Sequence, residues 1–206
     1  MSEKFHNDEF DWKDYYTAVS DKPPRETLIA ALELYQNENA DTEKLFAVDL
    51  GCGSGRDTFE LLKNGWKVYA TDREQAAIDI IRKNLPERYR HKLTTVVSAF
   101  ENIVIPKADL INASYSLPFC LPLCFDKLWM KIDNAIVKGG RFAGVFFGMN
   151  DEWAKFGDMT FLERNKIEFM FKNFRIEYFH EKDEMGETAI GEKKHWHVYS
   201  VIAKKR

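Results

Sequence analysis

Leu45-Phe46-Ala47-Val48-Asp49-Leu50-Gly51-Cys52-Gly53-Ser54-Gly55-Arg56 is the stretch that decides the fold. Its first half is almost continuously apolar, the pattern of a strand covered on both faces. Its second half alternates glycines, and a helical pattern through Phe59, Leu61 and Leu62 follows at once. A strand that stops in G-x-G-x-G and turns into a helix brings bare backbone against a ligand, because a Cβ there would block approach. The helix behind it aims unpaired N–H groups and a partial positive charge at the same place. A glycine cluster alone can also be a plain strand cap. Here the next strand pattern, Trp66 to Thr71, ends in Asp72, roughly twenty residues beyond the glycines. In nucleotide-binding α/β sheets a carboxylate at that place accepts ribose hydroxyls. The two features in register favour a ligand site over a cap.

Working outward, Asn64-Gly65 reads as a helix C-terminal cap. A helix pattern from Glu74 to Asn84 precedes strand patterns at Leu93 to Val97 and Asp109 to Tyr115. A helix from Phe125 to Val137, a turn at Lys138-Gly139-Gly140 and a strand from Arg141 to Phe147 complete the alternation. Upstream, Pro23 and Pro24 head a helix from Arg25 to about Gln36, with Leu28, Leu32 and Tyr35 on one stripe. The tail changes character. A helix around Leu162 to Phe171 leads to strand Phe174 to Phe179, a polar loop Glu181 to Lys194, and strand Trp196 to Ala203. Two strands with no helix between them read as an antiparallel pair at the sheet edge. The expectation is a single α/β domain over residues 1–206. Its Rossmann-like, seven-stranded sheet is mostly parallel, with one antiparallel strand near the edge and helices on both faces. The first 22 residues form an arm without clean periodicity that carries Phe5, Phe10, Trp12, Tyr15 and Tyr16. That much apolar area is costly to leave in water, so the arm either packs on the domain or closes over a pocket.

Composition narrows the partners. The formal charge is −3 and the aromatic share 14%. No broad basic field exists to draw nucleic acid or an anionic membrane, and a small-molecule substrate is expected. The cysteines, Cys52, Cys120 and Cys124, are odd in number and irregular in spacing, so a reducing compartment is expected. No further Cys or His stands at finger-like spacing around Cys120 and Cys124, so no metal is expected. The start, MSEKFHNDEFDWKD, lacks the apolar core of a signal peptide, and no apolar run reaches membrane-spanning length. These features place the chain in the cytoplasm, as a monomer or homodimer.

The dinucleotide fingerprint needs a third glycine where this chain has Arg56. By contrast, Val48 to Arg56 resembles the first motif of class I S-adenosylmethionine-dependent methyltransferases. The resemblance covers roughly Ala47 to Phe147. It implies that Asp49 helps hold the methionine end of S-adenosylmethionine, with Gly51, Cys52, Gly53 and Gly55 against it and Arg56 and Asp57 following. It implies further that Asp72 takes the ribose, that Arg73 lies beside the adenine, and that Ala99 and Phe100 occupy the third motif. The acid usual in that motif is missing unless Glu101 supplies it. Asn112-Ala113-Ser114-Tyr115 matches the fourth motif, without the two prolines of enzymes that methylate amino groups of nucleobases or protein glutamine. In layout the chain is similar to the tellurite-resistance and thiopurine-type branch acting on small molecules.

Methyl transfer is an in-line displacement from a sulfonium, so the enzyme mainly aligns the nucleophile and excludes water. A soft nucleophile already ionised needs no general base, whereas a hydroxyl or ammonium needs one. Base candidates are His195, His197, Asp151 and Glu152, and no catalytic residue is singled out. Trp12, Tyr15, Tyr16, Tyr115, Phe119 and His195 are the candidates for the acceptor pocket, aromatic faces favouring the sulfonium charge. Two other readings stand beside this one. One is a non-catalytic protein that binds S-adenosylmethionine or S-adenosylhomocysteine; the other is an NAD-dependent oxidoreductase.

Overall fold

The computed structural model describes residues 12–19 and 22–206. Phe5 and Phe10 of the aromatic arm lie outside the described residues. Strand β1 (Phe46–Leu50) is central, and the path through the sheet is β3-β2-β1-β4-β5-β8-β7. Its other members are β2 (Lys67–Asp72), β3 (Leu93–Val97), β4 (Ala108–Ala113), β5 (Ile136–Gly148), β7 (Phe174–Glu187) and β8 (Lys193–Lys205). All neighbouring pairs are parallel except those made by β8, which runs antiparallel to both β5 and β7. The expected topology therefore stands, with one addition. Phe161–Leu162 forms a short β6 parallel to the end of β5.

Helices α1 (Trp12–Val19), α2 (Glu26–Asn37), α3 (Arg56–Lys63), α4 (Gln75–Asn84), α5 (Pro122–Ala135) and α6 (Arg164–Met170) complete the described elements. Successive strand residues serve opposite layers, as the two-residue strand period requires. Ala47 packs with Leu28, Leu61 and Ile78, while its neighbour Val48 packs with Leu128, Ile132 and Phe142 on the other face. Both faces are dry, which explains the unbroken apolar run of β1. A third cluster, around Phe147, Met159 and Val198, fills the carboxyl end of the sheet. Among the described residues no helix is long and apolar enough to cross a membrane.

Three expectations need correction. Lys138-Gly139-Gly140 is not a turn ahead of a strand but lies inside β5, where the register with β4 jumps between Ala108↔Ile136 and Leu110↔Arg141. Gly140 allows that irregularity, since a Cβ there would stand 2.7 Å from the Asp109 carbonyl oxygen. The polar stretch Glu181 to Lys194 is largely strand. β7 and β8 pair as far as Glu187↔Lys193, leaving residues 188–192 as the connection. The ladder is made by backbone groups, and its β7 side from Glu181 to Glu187 is largely exposed, so that strand carries no apolar signal. Part of the arm lacking clean periodicity is helix α1, in which Tyr16 and Val19 are buried.

Candidate active site

The order of strands reverses between β1 and β4, and ligands of open α/β sheets lie in the crevice beyond such a switch point. A cavity of about 350 Å³ opens there. The glycine loop forms its floor. Gly51 has φ +68°, and a Cβ on it would stand 2.3 Å from Cβ of Ser116, whose hydroxyl donates to the Leu50 carbonyl at 2.5 Å. At Gly55, φ +93°, a Cβ would meet Ile81 at 2.7 Å and Phe59 at 2.9 Å. Only glycine fits either position, so the loop is drawn tight against the domain.

Buried carboxylates gather under this loop. Asp49 accepts from Thr58 Oγ1 at 2.6 Å and from Asn112 Nδ2 at 2.8 Å. The same Asn112 amide donates to Asp57 at 3.1 Å, and Asp57 also takes the Arg25 backbone N–H at 2.9 Å. Burial first, and then the charge of Asp57, hold the Asp49 carboxyl well above the usual carboxylate range. Asp72 closes the β2 end, taking the N–H of Gly53 at 2.8 Å on one oxygen and that of Glu74 at 3.0 Å on the other. Each oxygen keeps a further lone pair.

Cations and rings make the rest of the wall. Arg25 lies over the Tyr115 ring at 4.4 Å and donates to the Tyr15 hydroxyl at 3.3 Å. Arg56 donates to the Pro23 carbonyl, while its Nη1 is buried without a hydrogen-bond acceptor. Neither guanidinium has a carboxylate partner among the described residues. Ring contacts run from Tyr15 to Trp12, Phe119, Trp153, Trp196 and Tyr115, with centroids 5.0–6.4 Å apart, and Arg25 closes the belt. Tyr115 reaches its place through a left-handed backbone, φ +55°, just past β4. Tyr16 stacks on Trp12 beside Asp72, and burial drives its phenol far above the usual range.

Of the residues singled out from sequence, Trp12, Tyr15, Tyr16, Asp49, Gly51, Cys52, Gly53, Arg56, Asp57, Asp72, Arg73, Ala99, Phe100, Tyr115 and Phe119 line the cavity. Gly55 and Asn112 lie behind it, in packing and in the carboxylate network. His195 does not reach it. Side chains alternate along a strand, and in β8 it is Trp196 and Val198 that face the cavity. His195 and His197 face away, onto Asp183 at 2.6 Å and Glu181 at 3.0 Å of β7. Asp151 is likewise spent, bonded to Lys194 and to the Trp153 and His197 N–H groups. Glu152 accepts the His195 N–H. Sequence reading missed Arg25, Phe147, Trp153, Trp196 and the hairpin connection, which also line the cavity.

Residues 48–142 match a family model described as a methyltransferase domain. The chain therefore carries a methyltransferase domain and is an enzyme that works with S-adenosylmethionine. No curated protein sequence matches it. The methyltransferase shares its fold with TehB from Haemophilus influenzae at TM-score 0.74 and 16% identity, over 95% of this chain and 68% of that one. It also aligns with magnesium protoporphyrin IX methyltransferase from Synechocystis, solved with S-adenosylmethionine, at 0.67 and 12%, over 94% and 91%. A third match is 1,6-didemethyltoxoflavin-N1-methyltransferase from Burkholderia thailandensis, solved with its substrate and S-adenosylhomocysteine, at 0.64 and 16%, over 94% and 83%.

Proposed function

We propose that this methyltransferase transfers the methyl group to a small planar acceptor held within the aromatic belt, by in-line displacement and without a general base. The observation that carries this reading is the belt itself, six rings and one guanidinium next to the glycine loop. S-adenosylmethionine, when bound, supplies an electrophilic methyl and its own leaving group. The chain fits that cofactor at both ends. The buried, unsatisfied Nη1 of Arg56 calls for an anion such as the methionine carboxylate. Asp72 has free lone pairs for the ribose hydroxyls, with Arg73, Ala99 and Phe100 toward the adenine. Asp49, steadied by Thr58 and Asn112, favours the ammonium from below.

The belt then orients the acceptor and keeps water out. Its tyrosines are poor bases, because burial raises Tyr16 and Tyr115 and keeps both phenols protonated. An acceptor that brings an ionised or lone-pair nucleophile suits such a wall. The two small-molecule enzymes that share the fold point the same way. The net charge of −3 speaks for a partner other than nucleic acid. We further assign the chain to the cytoplasm as one domain, monomeric or homodimeric; light scattering reads the last point. Thermal shift should rise with S-adenosylhomocysteine and not with NADH. Turnover against a panel of aromatic thiols, phenols and amines, read as S-adenosylhomocysteine formed, separates an enzyme from a sensor. No product with any acceptor, despite cofactor binding, would leave the sensor reading standing.

A further inference from the structure

Lys194 lies outside the cavity lining, yet its ammonium is enclosed directly behind two rings of the belt. The Nζ atom stands 3.6 Å from the centre of the Trp153 ring, 3.8 Å from that of Trp196 and 5.2 Å from that of Phe147. Its side chain is 3% exposed, and its counter-ion, Asp151 at 2.5 Å, is fully buried. Asp151 is in turn fixed by the N–H groups of Trp153 and His197. The ammonium therefore has no route to solvent. A methionine would fill the same volume without the desolvation cost of a buried charge. What the pair adds is a buried dipole whose positive end, the ammonium, lies against the rings of Trp153 and Trp196.

We infer that Lys194, acting through Trp153 and Trp196, sets the charge preference of the acceptor pocket, so that a planar anionic acceptor is selected over a cationic one. This rests on the reading that the belt holds the acceptor. The physical reason is the ring quadrupole. A face of Trp attracts cations, but a ring already engaged by a cation on its outer side offers less negative potential on its inner side. The field of the ammonium, partly offset by Asp151 but stronger at the nearer rings, crosses them through a medium of low dielectric. Arg25, over Tyr115 and without a carboxylate partner among the described residues, adds to it from the opposite side of the belt. The acids at the hairpin end, Glu187 and Glu192, are exposed and screened by water.

Lys194 is a positioning and specificity residue, and its protonation is part of the device. The charged groups facing it are Asp151, Glu152 and Lys155, all on the turn after β5; opposite it on β7 stands the uncharged Gly186. Burial lowers its pKa to about 8, against the opposing pull of Asp151. It is charged at neutral pH and discharges just above.

Three probes on one ring system test this: 2-naphthoate, 2-naphthamide and 2-naphthyltrimethylammonium, titrated by calorimetry into the whole chain with and without S-adenosylhomocysteine. At neutral pH the naphthoate should bind at least about tenfold more tightly than the ammonium. The double variant Asp151→Asn/Lys194→Met, which removes the charge without stranding a buried carboxylate, should erase that ratio. Should the double variant not fold, the wild-type chain reads the same quantity, because the ratio should shrink as pH rises through about 8. Equal or tighter binding of the trimethylammonium probe, binding of none of the three, or a ratio indifferent to both the variant and pH would each overturn the inference. Absence of S-adenosylhomocysteine binding would instead count against the cofactor assignment, and that measurement is made separately.

Discussion

Asp49 and Asp72 are both buried carboxylates within the same loop system, and burial raises both. Burial and Asp57 lift Asp49 to about 7, so the folded chain holds a proton that the unfolded chain releases at ordinary carboxylate pH. The sign follows from linkage: with the folded pKa raised, stability is highest below the unfolded pKa and falls as pH rises toward the folded one. Urea unfolding of the cofactor-free protein should show stability declining from about pH 4 to about pH 7, and Asp49→Asn should lessen the decline, leaving the part due to Asp72. A wild-type curve parallel to that of the variant would count against the coupled carboxylates. Asp72 is proposed to work through hydrogen bonds. Asp72→Ala should weaken S-adenosylhomocysteine by roughly 1.5–3 kcal/mol for each charged hydrogen bond lost. Because Asp72 also tethers Gly53 and Glu74, Asp72→Asn is the cleaner variant, and unchanged affinity in a folded protein would remove Asp72 from the site.

At the scale of elements, two segments overhang the carboxyl end of the sheet: helix α1 and the connection between β7 and β8. Helix α1 brings Trp12, Tyr15 and Tyr16 into the cavity wall, and the Tyr16 ring is the first atom group that a Cβ on Gly53 would touch, at 3.5 Å. The core clusters of the sheet are made by β-strands and helices α2 to α6, without α1. A lid built this way should be separable from the fold. Deleting residues 1–22 should leave a cooperative unfolding transition while weakening S-adenosylhomocysteine and lowering turnover. If the main effect is instead a fall in melting temperature with affinity kept, α1 is a structural seal. The hairpin was hidden from periodicity because the outer half of β7 is largely exposed, and only the pairing Glu187↔Lys193 reveals its length.

Across the whole molecule, the sheet is tied together at the end away from the cavity by a buried charge. Arg141 of β5 is fully enclosed, bonded to Glu38 after α2 at 2.5 and 3.1 Å and to Glu177 of β7 at 2.6 and 3.3 Å. It also covers the Tyr35 ring at 4.5 Å. One side chain thus joins a helix, an inner strand and the edge hairpin. Arg141→Met takes the shared partner from Glu38 and Glu177, although Arg175 still holds Glu177 at 2.6 Å, and should cost about 1–3 kcal/mol of unfolding free energy by denaturant titration. Adding Glu177→Leu should restore part of it. S-adenosylhomocysteine affinity measured on the folded single variant should hold, since Arg141 pairs with the start of β4 and not with its cavity end.

The sheet, the glycine loop and the carboxylate that ends β2 were determined by sequence alone, for local reasons. A strand dry on both faces must be apolar throughout, and only glycine accepts the backbone at Gly51 and Gly55. Tertiary structure alone decided the acceptor wall. Arg25, Tyr115, Trp153 and Trp196 come from four segments separated by tens of residues, and nothing in their local spacing says that they meet. It also decided which face of β8 matters. His195 and His197 share one face, as their spacing requires, but whether that face meets the cavity or β7 depends on how the hairpin is hung on β5. Pairing chose the side that puts Trp196 inward, and with it the lysine behind the ring.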